Sequence, residues 1–561
     1  MIKRASSPII KKYALYIAAI FIAGSLISLA STAFFANKVV NQLKDLKVDQ
    51  PVLRNQQVQE ISTSVHLLNI SVSNPFFALT TLIATTPQTF LPASRALRSA
   101  DQFVASTSEF LQSQSRGEIS AVDAAAHLDA TMPQLKNTLN ALSQLRVGGL
   151  FASLDKRFSQ VRADASAVHD ATSAIAPILK TFPGISGQSA PRNYLIAFQN
   201  SAEARGTGGI LGAYAVMNID KGKAKFSAYG SNAGLAQLED TPILMPDEFV
   251  RLYNDDPGIW QNSNISPHFP YGAQIWLALW KNQFKQELDG VITFDPAALS
   301  YLLKATGPII VDGEVIDSEN VVQVTLSDVY KKYVTNNDSR KKFLIDIIKA
   351  VSQKIEDSQF STTDLITQMI NPINQHRVLF YSTQQSEQKI IEQSVISGAI
   401  SDQLDNEYRL IIQNTSGNKM DYYLKRDLKI ESLTCGANPK TQVTFSLTNT
   451  ASSVVKLPAY VAGRLDLNKP QGVANSYGTR AVILPPVGSH LLDATELATK
   501  RKFGFLVKER GRKGVGVQVD LAAGQTQTFS LTFSGGKGTL TSYVQPLVID
   551  QTDTIIDRCT P

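Results

Sequence analysis

The sequence predicts a multi-domain α+β protein: an N-terminal transmembrane helix, a helical stalk or bundle, a central α/β sandwich and a C-terminal antiparallel β-sandwich. Three observations lead there. An uncharged stretch, Tyr13 to Ala36, follows a basic chain start. Apolar residues then recur at helical spacing to about residue 185, and after residue 406 the period changes to two. With 561 residues, the chain is too long for one hydrophobic core. A hydrophobic content of 43% excludes a disordered chain. The net charge of +6 is spread thinly, so no nucleic-acid partner is expected. Two cysteines, without any C-x-x-C, H-E-x-x-H or P-loop pattern, take support from zinc, redox and nucleotide readings.

Residues 1–12 carry Lys3, Arg4, Lys11 and Lys12 and read as a cytoplasmic basic tail. Residues 13–36 are long enough to cross a hydrocarbon layer of roughly 30 Å at about 1.5 Å per residue. The positive-inside rule then predicts a single-pass protein in a lipid bilayer, its bulk outside the cytoplasm. A cleaved signal peptide with Ser28-Leu29-Ala30 as the small-x-small site is the rival, but apolar sequence continues past that site to Ala36. Residues 37–185 read as a helical stalk or bundle. Leu154, Phe158, Val161, Ala165, Val168, Thr172 and Ile175 step by 4 and 3, an a/d seam that suits either a homodimer or an intramolecular bundle. Leu135, Leu139 and Leu142 precede the breaker Gly148-Gly149.

Residues 190–405 alternate strand and helix patterns, as an α/β domain does. Tyr194–Phe198 and Ala213–Ile219 read as strands, and Gly290–Phe294 as a third that stops at Asp295-Pro296. Asp295 is placed to cap the following helix. Trp276, Trp280 and Phe284 form one stripe of a helix over 271–284. Such a stripe suits either ordinary core or the lining of an apolar pocket. Residues 406–561 read as a β-sandwich, in which Val443, Phe445 and Leu447, and Phe529, Leu531 and Phe533, alternate with polar residues. Cys435 and Cys559 lie there, either bridged or as two free buried thiols.

Two segments hold candidate chemistry. Phe198 to Gly212 joins two strands and contains Asn200, Glu203, Arg205, Gly208 and Gly209. Glycines let backbone N–H groups approach an anion, and an arginine can grip a phosphate with two N–H bonds. The alternative is a turn whose glycines only permit close packing. Tyr330-Lys331-Lys332-Tyr333 and Asp338-Ser339-Arg340-Lys341-Lys342 put five cations at a helix start, which is either a phosphate site or a solvated face. The basic run from Lys500 to Lys513 reads as a solvated hairpin loop, with contact to an anionic surface polymer as the alternative. His268 reads as a turn residue.

The runs Asn193–Asn200, Ala202–Arg205, Thr207–Gly209, Asn264–Pro270, Asp289–Ile292, Thr306–Pro308 and Gly417–Tyr423 resemble the signature of the domain-of-unknown-function 4012 family. That resemblance implies a bacterial membrane-anchored protein, common in actinobacteria and linked to surface-polysaccharide (exopolysaccharide) loci and the cell envelope. The motif order is also similar to the LytR-CpsA-Psr phosphotransferases, which implies an extracytoplasmic α/β domain handling a polyprenyl-pyrophosphate-linked glycopolymer with Mg2+. On that resemblance Arg205 and Arg340 are the catalytic cations. Asn200, Gly208, Gly209 and Lys332 contact substrate, and Glu203 and Asp338 are the metal ligands. Asn200 stands where that family carries aspartate, and its Ser-x-Pro-Arg-Asp motif is absent around Ser227 to Ser231. A non-catalytic envelope scaffold, recruiting polymer or protein through stalk and sandwich, is the competing expectation.

Overall fold

A computed structural model describes residues 55–73, 87–113, 121–144 and 181–559, apart from 255, 358–361, 404–405, 470–474 and 537, together with a few isolated positions before 181. The chain divides into two compact units, Met1–Phe182 and Pro183–Pro561. It has a multi-domain architecture with helices and several mixed β-sheets.

In the first unit, helices α1 (Asn55–Ser73), α2 (Pro87–Ser113) and α3 (Ala121–Gln144) are described. α2 packs against both others. Ala96, Ala141 and Leu142 share a small core, and Leu135 is buried beside it in sequence. His66 and Asn69 of α1 both bond Asp101 Oδ2 of α2, at 3.0 and 2.8 Å. The Leu154–Ile175 seam and Gly148-Gly149 lie outside the described residues.

The expected single-pass topology is corrected. Among the described residues no helix is long and apolar enough to cross a membrane. The long helices are too polar: α2 carries Arg95, Arg98, Asp101 and Glu109, and α3 carries Asp123, Asp129 and Lys136. Tyr13–Ala36, which carried the expectation of a membrane-anchored protein with an extracytoplasmic bulk, lies outside the described residues.

The second unit opens with a five-stranded sheet of β1 (Arg192–Arg205), β2 (Gly208–Asp220), β3 (Lys223–Ser231), β4 (Gly290–Phe294) and β5 (Val378–Ser382). Their order is β3-β2-β1-β4-β5. β1 pairs antiparallel with β2 and parallel with β4. Helix α4 (Phe269–Phe284) buries Trp276 and Trp280 against Leu195, Ala197, Leu211 and Val216 of the sheet. Trp276 donates from Nε1 to the Trp260 carbonyl at 3.2 Å, and the Trp280 ring meets Tyr214 edge-on at 5.3 Å. The aromatic stripe is therefore core, with only Phe284 partly in solvent. Asp295 caps α5 (Pro296–Thr306) by accepting from the Ala298 N–H at 2.7 Å.

After α5 come a two-stranded hairpin (309–316), a π-helical turn over Val324–Asp328, the short helix α6 (Val329–Lys332) and α7 (Asn337–Glu356). The π-turn, an unusual local winding, leads straight into α6 and the Tyr330 that it carries. α7 begins at an Asn336 cap and buries Phe343, Ile347, Ile348 and Val351 at helical spacing, and these except Ile348 enter a core that continues into the sandwich.

Two five-stranded sheets follow. One orders β11 (Phe505–Glu509), β12 (Arg512–Leu521), β9 (Tyr477–Leu484), β6 (Glu407–Asn414) and β14 (Thr541–Tyr543). The other orders β10 (His490–Glu496), β13 (Thr526–Ser534), β8 (Lys440–Asn449), β7 (Leu424–Thr434) and β15 (Thr552–Ile556). Val443, Phe445 and Leu447 of β8 face Leu531, Phe529 and Gln527 in register, and the alternate residues point outward. A disulfide joins Cys435 to Cys559 across a separation of 124 residues. Arg377 ties the two parts of this unit together. It bonds Asp295 at 2.7 Å on one side, and Asp550 at 2.7 Å and the Leu547 carbonyl on the other.

Candidate functional site

The segment read as a glycine-rich loop is a hairpin. β1 runs on to Arg205, turns through Gly206-Thr207 and returns as β2. Gly208 has φ +129°, a conformation that side chains rarely adopt, and a Cβ on Gly209 would collide with the Asn200 backbone. Their absence of side chains lets the two strands close; neither presents a loop to a ligand. The ladder slips between Asn200 and Ala204. Such a bulge bends a strand and redirects its side chains. Here it turns Glu203 toward the sandwich, so that the end of β1 becomes part of the contact between the two parts.

Glu203 is enclosed there by two cations. Its Oε2 accepts from Lys419 Nζ and its Oε1 from Arg205 Nη2 at 3.3 Å. All three side chains are buried. Burial pushes the Glu203 carboxyl up, but Lys419 and Arg205 outweigh it and hold the group below its ordinary range. Burial would likewise lower the Lys419 ammonium, yet Glu203 keeps it above its usual value. Asp421, two residues on, accepts from the Ala204 N–H at 3.0 Å, from Asn414 Nδ2 at 2.6 Å and from the Tyr477 hydroxyl. Burial raises the Asp421 carboxyl despite those donors, because all of them are neutral.

Arg205 is fully occupied. Nε donates to the Gln261 carbonyl and Asn262 Oδ1, at 3.0 and 3.1 Å, and Nη1 to the carbonyls of Ala204 and Asn414. This guanidinium holds the hairpin tip to its surroundings.

A second group adjoins the first. Asn200 Nδ2 donates to the Tyr330 hydroxyl at 2.8 Å, while its Oδ1 accepts from the Ala202 N–H. The Tyr330 ring stacks on that of Tyr460 with centroids 5.7 Å apart. Arg340, only 3% exposed, lays its guanidinium 3.7 Å from the Tyr460 centroid and 5.0 Å from that of Tyr330. Lys419 Nζ lies 5.7 Å from the same Tyr460 ring. Arg340 bonds Asn337 Oδ1 and has no carboxylate partner among the described residues. The cluster thus holds three cations, Arg205, Lys419 and Arg340, against at most two carboxylates, Glu203 and Asp421. A buried cation without a carboxylate is costly unless an anion reaches it. Tyr460, half-exposed at 48%, is the part of the group closest to solvent.

The structure therefore links Asn200, Glu203, Arg205 and Arg340, through Lys419, Tyr330 and Tyr460. Lys332 and Asp338 stand apart. Lys332 pairs with Glu314 at 2.9 Å on the surface, and Asp338 lines an open groove with Tyr229, Lys341, Lys342 and Lys349. Glu203 and Asp338 do not suit a metal ion. Both oxygens of the first are covered by cations and the second lies in a separate groove; no group of three metal-ligating side chains occurs among the described residues. Lys419, Asp421, Tyr330 and Tyr460 escaped sequence reasoning as site residues. Lys419 and Asp421 sit inside the Gly417–Tyr423 run, and Tyr330 inside the basic run, so the sequence carried a signal for these three. Nothing in the sequence marks Tyr460.

A family model described as a protein of unknown function (DUF4012) matches residues 189–330. Those residues form a DUF4012-family domain. The DUF4012 domain supplies Asn200, Glu203, Arg205 and Tyr330, while Arg340, Lys419 and Tyr460 lie beyond it. No curated protein matches the chain. Among solved structures, the crystal structure of the transcriptional regulator yvhJ from Bacillus subtilis is similar at 15% identity, covering 38% of this chain and 78% of that one with a TM-score of 0.20. A likeness at that score carries no argument about function.

Proposed function

We propose that this protein binds a phosphate-bearing glycopolymer intermediate, of the polyprenyl-pyrophosphate-linked class, in surface-polysaccharide or envelope assembly. One observation carries the reading: Arg340, buried against two tyrosine rings, has no carboxylate partner among the described residues and lies beside Lys419. Phosphate is an anion that such a planar guanidinium binds with two parallel N–H bonds. The motif order resembling LytR-CpsA-Psr enzymes agrees with this substrate class. In this reading Arg340 meets the phosphate, Lys419 adds charge, and Arg205 positions the hairpin rather than the substrate. Isothermal titration with inorganic pyrophosphate tests it. Arg340→Ala should weaken binding at least about tenfold, the loss expected for a hydrogen bond to a charged group. Unchanged binding by a folded Arg340→Ala protein would refute it.

A second reading, a scaffold that recruits envelope partners without handling phosphate, is favoured by one specific feature. Arg205 and both ends of the Asn200 amide are consumed by protein groups. On that reading the wild-type protein ignores pyrophosphate altogether, and Arg340→Ala changes only stability.

A further inference from the structure

A second contact between the DUF4012 domain and the sandwich is built from different chemistry. Glu509, at the end of β11, is 2% exposed. Its Oε2 accepts from the Tyr253 hydroxyl at 2.7 Å and its Oε1 from the Ser266 hydroxyl at 2.9 Å, both in the DUF4012 domain. Gln413 of β6 donates to the Ile265 carbonyl beside them at 2.8 Å. Both direct partners of this carboxyl are neutral hydroxyls. Among the described residues, none of the charged groups around it forms an ion pair with it. Glu248 accepts from the Arg510 N–H and pairs with Lys508 at 3.4 Å, and Arg510 reaches Asp402 at 3.4 Å. Arg480 of β9 lines the small cavity beside Glu509 with its buried Nε unpartnered, and forms no ion pair among the described residues. His268, on the same turn as Ser266, accepts from the Ile400 N–H at 2.9 Å. Burial, with Arg510 and Arg409 adding to it, lowers that imidazole to about 3, so it stays neutral.

We propose that Glu509 is a proton-operated latch between the DUF4012 domain and the β-sandwich, closed when its carboxyl is protonated and loosened when it ionises. A protonated carboxyl keeps both contacts once one hydroxyl turns from donor to acceptor, because it then donates to one and accepts from the other. A carboxylate whose direct partners are neutral hydroxyls is desolvated without an ion pair to offset it, and opening the contact to water relieves that. Burial, the main cause, pushes the group up to about 7, which sets the range in which the latch responds. The turn just before Ser266 carries Gln261 and Asn262, the acceptors of Arg205. Loosening the latch therefore reaches the cation cluster, whatever ligand that cluster takes.

Hydrogen–deuterium exchange on the full chain tests the latch independently of any pyrophosphate binding. Protection factors of residues 247–254 and 505–509, corrected for intrinsic exchange, should fall on the order of tenfold between about pH 5.5 and about pH 8. In Glu509→Gln, which keeps the shape and stays neutral, they should be flat across that range. Pressure from an unstable Gln variant is met by Tyr253→Phe: losing a donor to the carboxylate moves the wild-type midpoint to higher pH. Wild-type protection that does not change with pH, a Gln variant that keeps the change, or an unmoved midpoint in Tyr253→Phe each overturns the latch.

Discussion

Two buried glutamates bridge the same two parts of the molecule and respond to pH in opposite directions. Glu203 meets Lys419 and Arg205; Glu509 meets Tyr253 and Ser266. Burial alone raises both carboxyls, and only the partners differ. With two cations, Glu203 ends below its ordinary value, so its stabilisation is present above the unfolded value and lost as pH falls through the folded one. With neutral hydroxyls, Glu509 ends at about 7. Its stabilisation is complete below the unfolded value, near 4.5, and lost as pH rises to about 7. The same side chain at one interface is a fixed ion in one place and a titrating acid in the other. Charge balance decides, not depth.

The sharpest way to break this contrast is to make Glu203 resemble Glu509. Lys419→Met removes the nearer cation and leaves Glu203 with Arg205 alone. Breaking a buried ion pair on one side costs about 3–5 kcal/mol, so urea unfolding should show the largest loss of any change considered. The acid-side dependence of stability should shrink with it. Next in size is the Glu509 response itself. A rise from near 4.5 to about 7 corresponds to about 3 kcal/mol, an order-of-magnitude figure, of stability lost between those pH values. Urea midpoints across pH 5 to 8 should decline in the wild type and level out in Glu509→Gln.

A third bridge, Asp295–Arg377–Asp550, sharpens the comparison at lower amplitude. Asp295→Asn keeps a cap for α5 but removes the buried charge facing Arg377, which still has Asp550. A loss of about 1–2 kcal/mol in thermal or urea unfolding is expected, smaller than for Lys419→Met because the amide oxygen that replaces the carboxylate still accepts from Arg377. At the small end, Lys332→Ala should leave both pyrophosphate binding and stability unchanged. Its pair with Glu314 is exposed and far in character from the buried cluster, and exposed pairs contribute little.

How much of this was legible in the chain differs by element. The alternation at Val443, Phe445 and Leu447, and at Phe529, Leu531 and Phe533, announced strands, because a half-buried strand writes a period of two directly into its residues. Asp295-Pro296 announced a capped helix for an equally local reason. The extent of β1 did not show. Its continuation through Ser201–Arg205 depends on a bulge and on contacts with residues 414–421, more than two hundred positions away. Asn200, Glu203, Arg205 and Arg340 were legible as unusual residues, but the partners that enclose them were not. Arg205 looked like a ligand cation, and nothing local reveals that the carbonyls of Gln261 and Asn414 will surround it.

Residue type and spacing were enough to announce a helical region, an alternating α/β region and a sandwich, because periodicity is a property of neighbours along the chain. They also brought Cys435 and Cys559 into consideration as a pair. Which charges meet was settled only by the folded chain. Lys419 reaches Glu203 across 216 residues, Glu509 reaches Tyr253 across 256, and Tyr460 covers Arg340 from the sandwich side. A buried carboxyl's behaviour follows from the few groups within hydrogen-bond distance after water has been excluded. Those groups arrive from distant segments, so no local pattern encodes them.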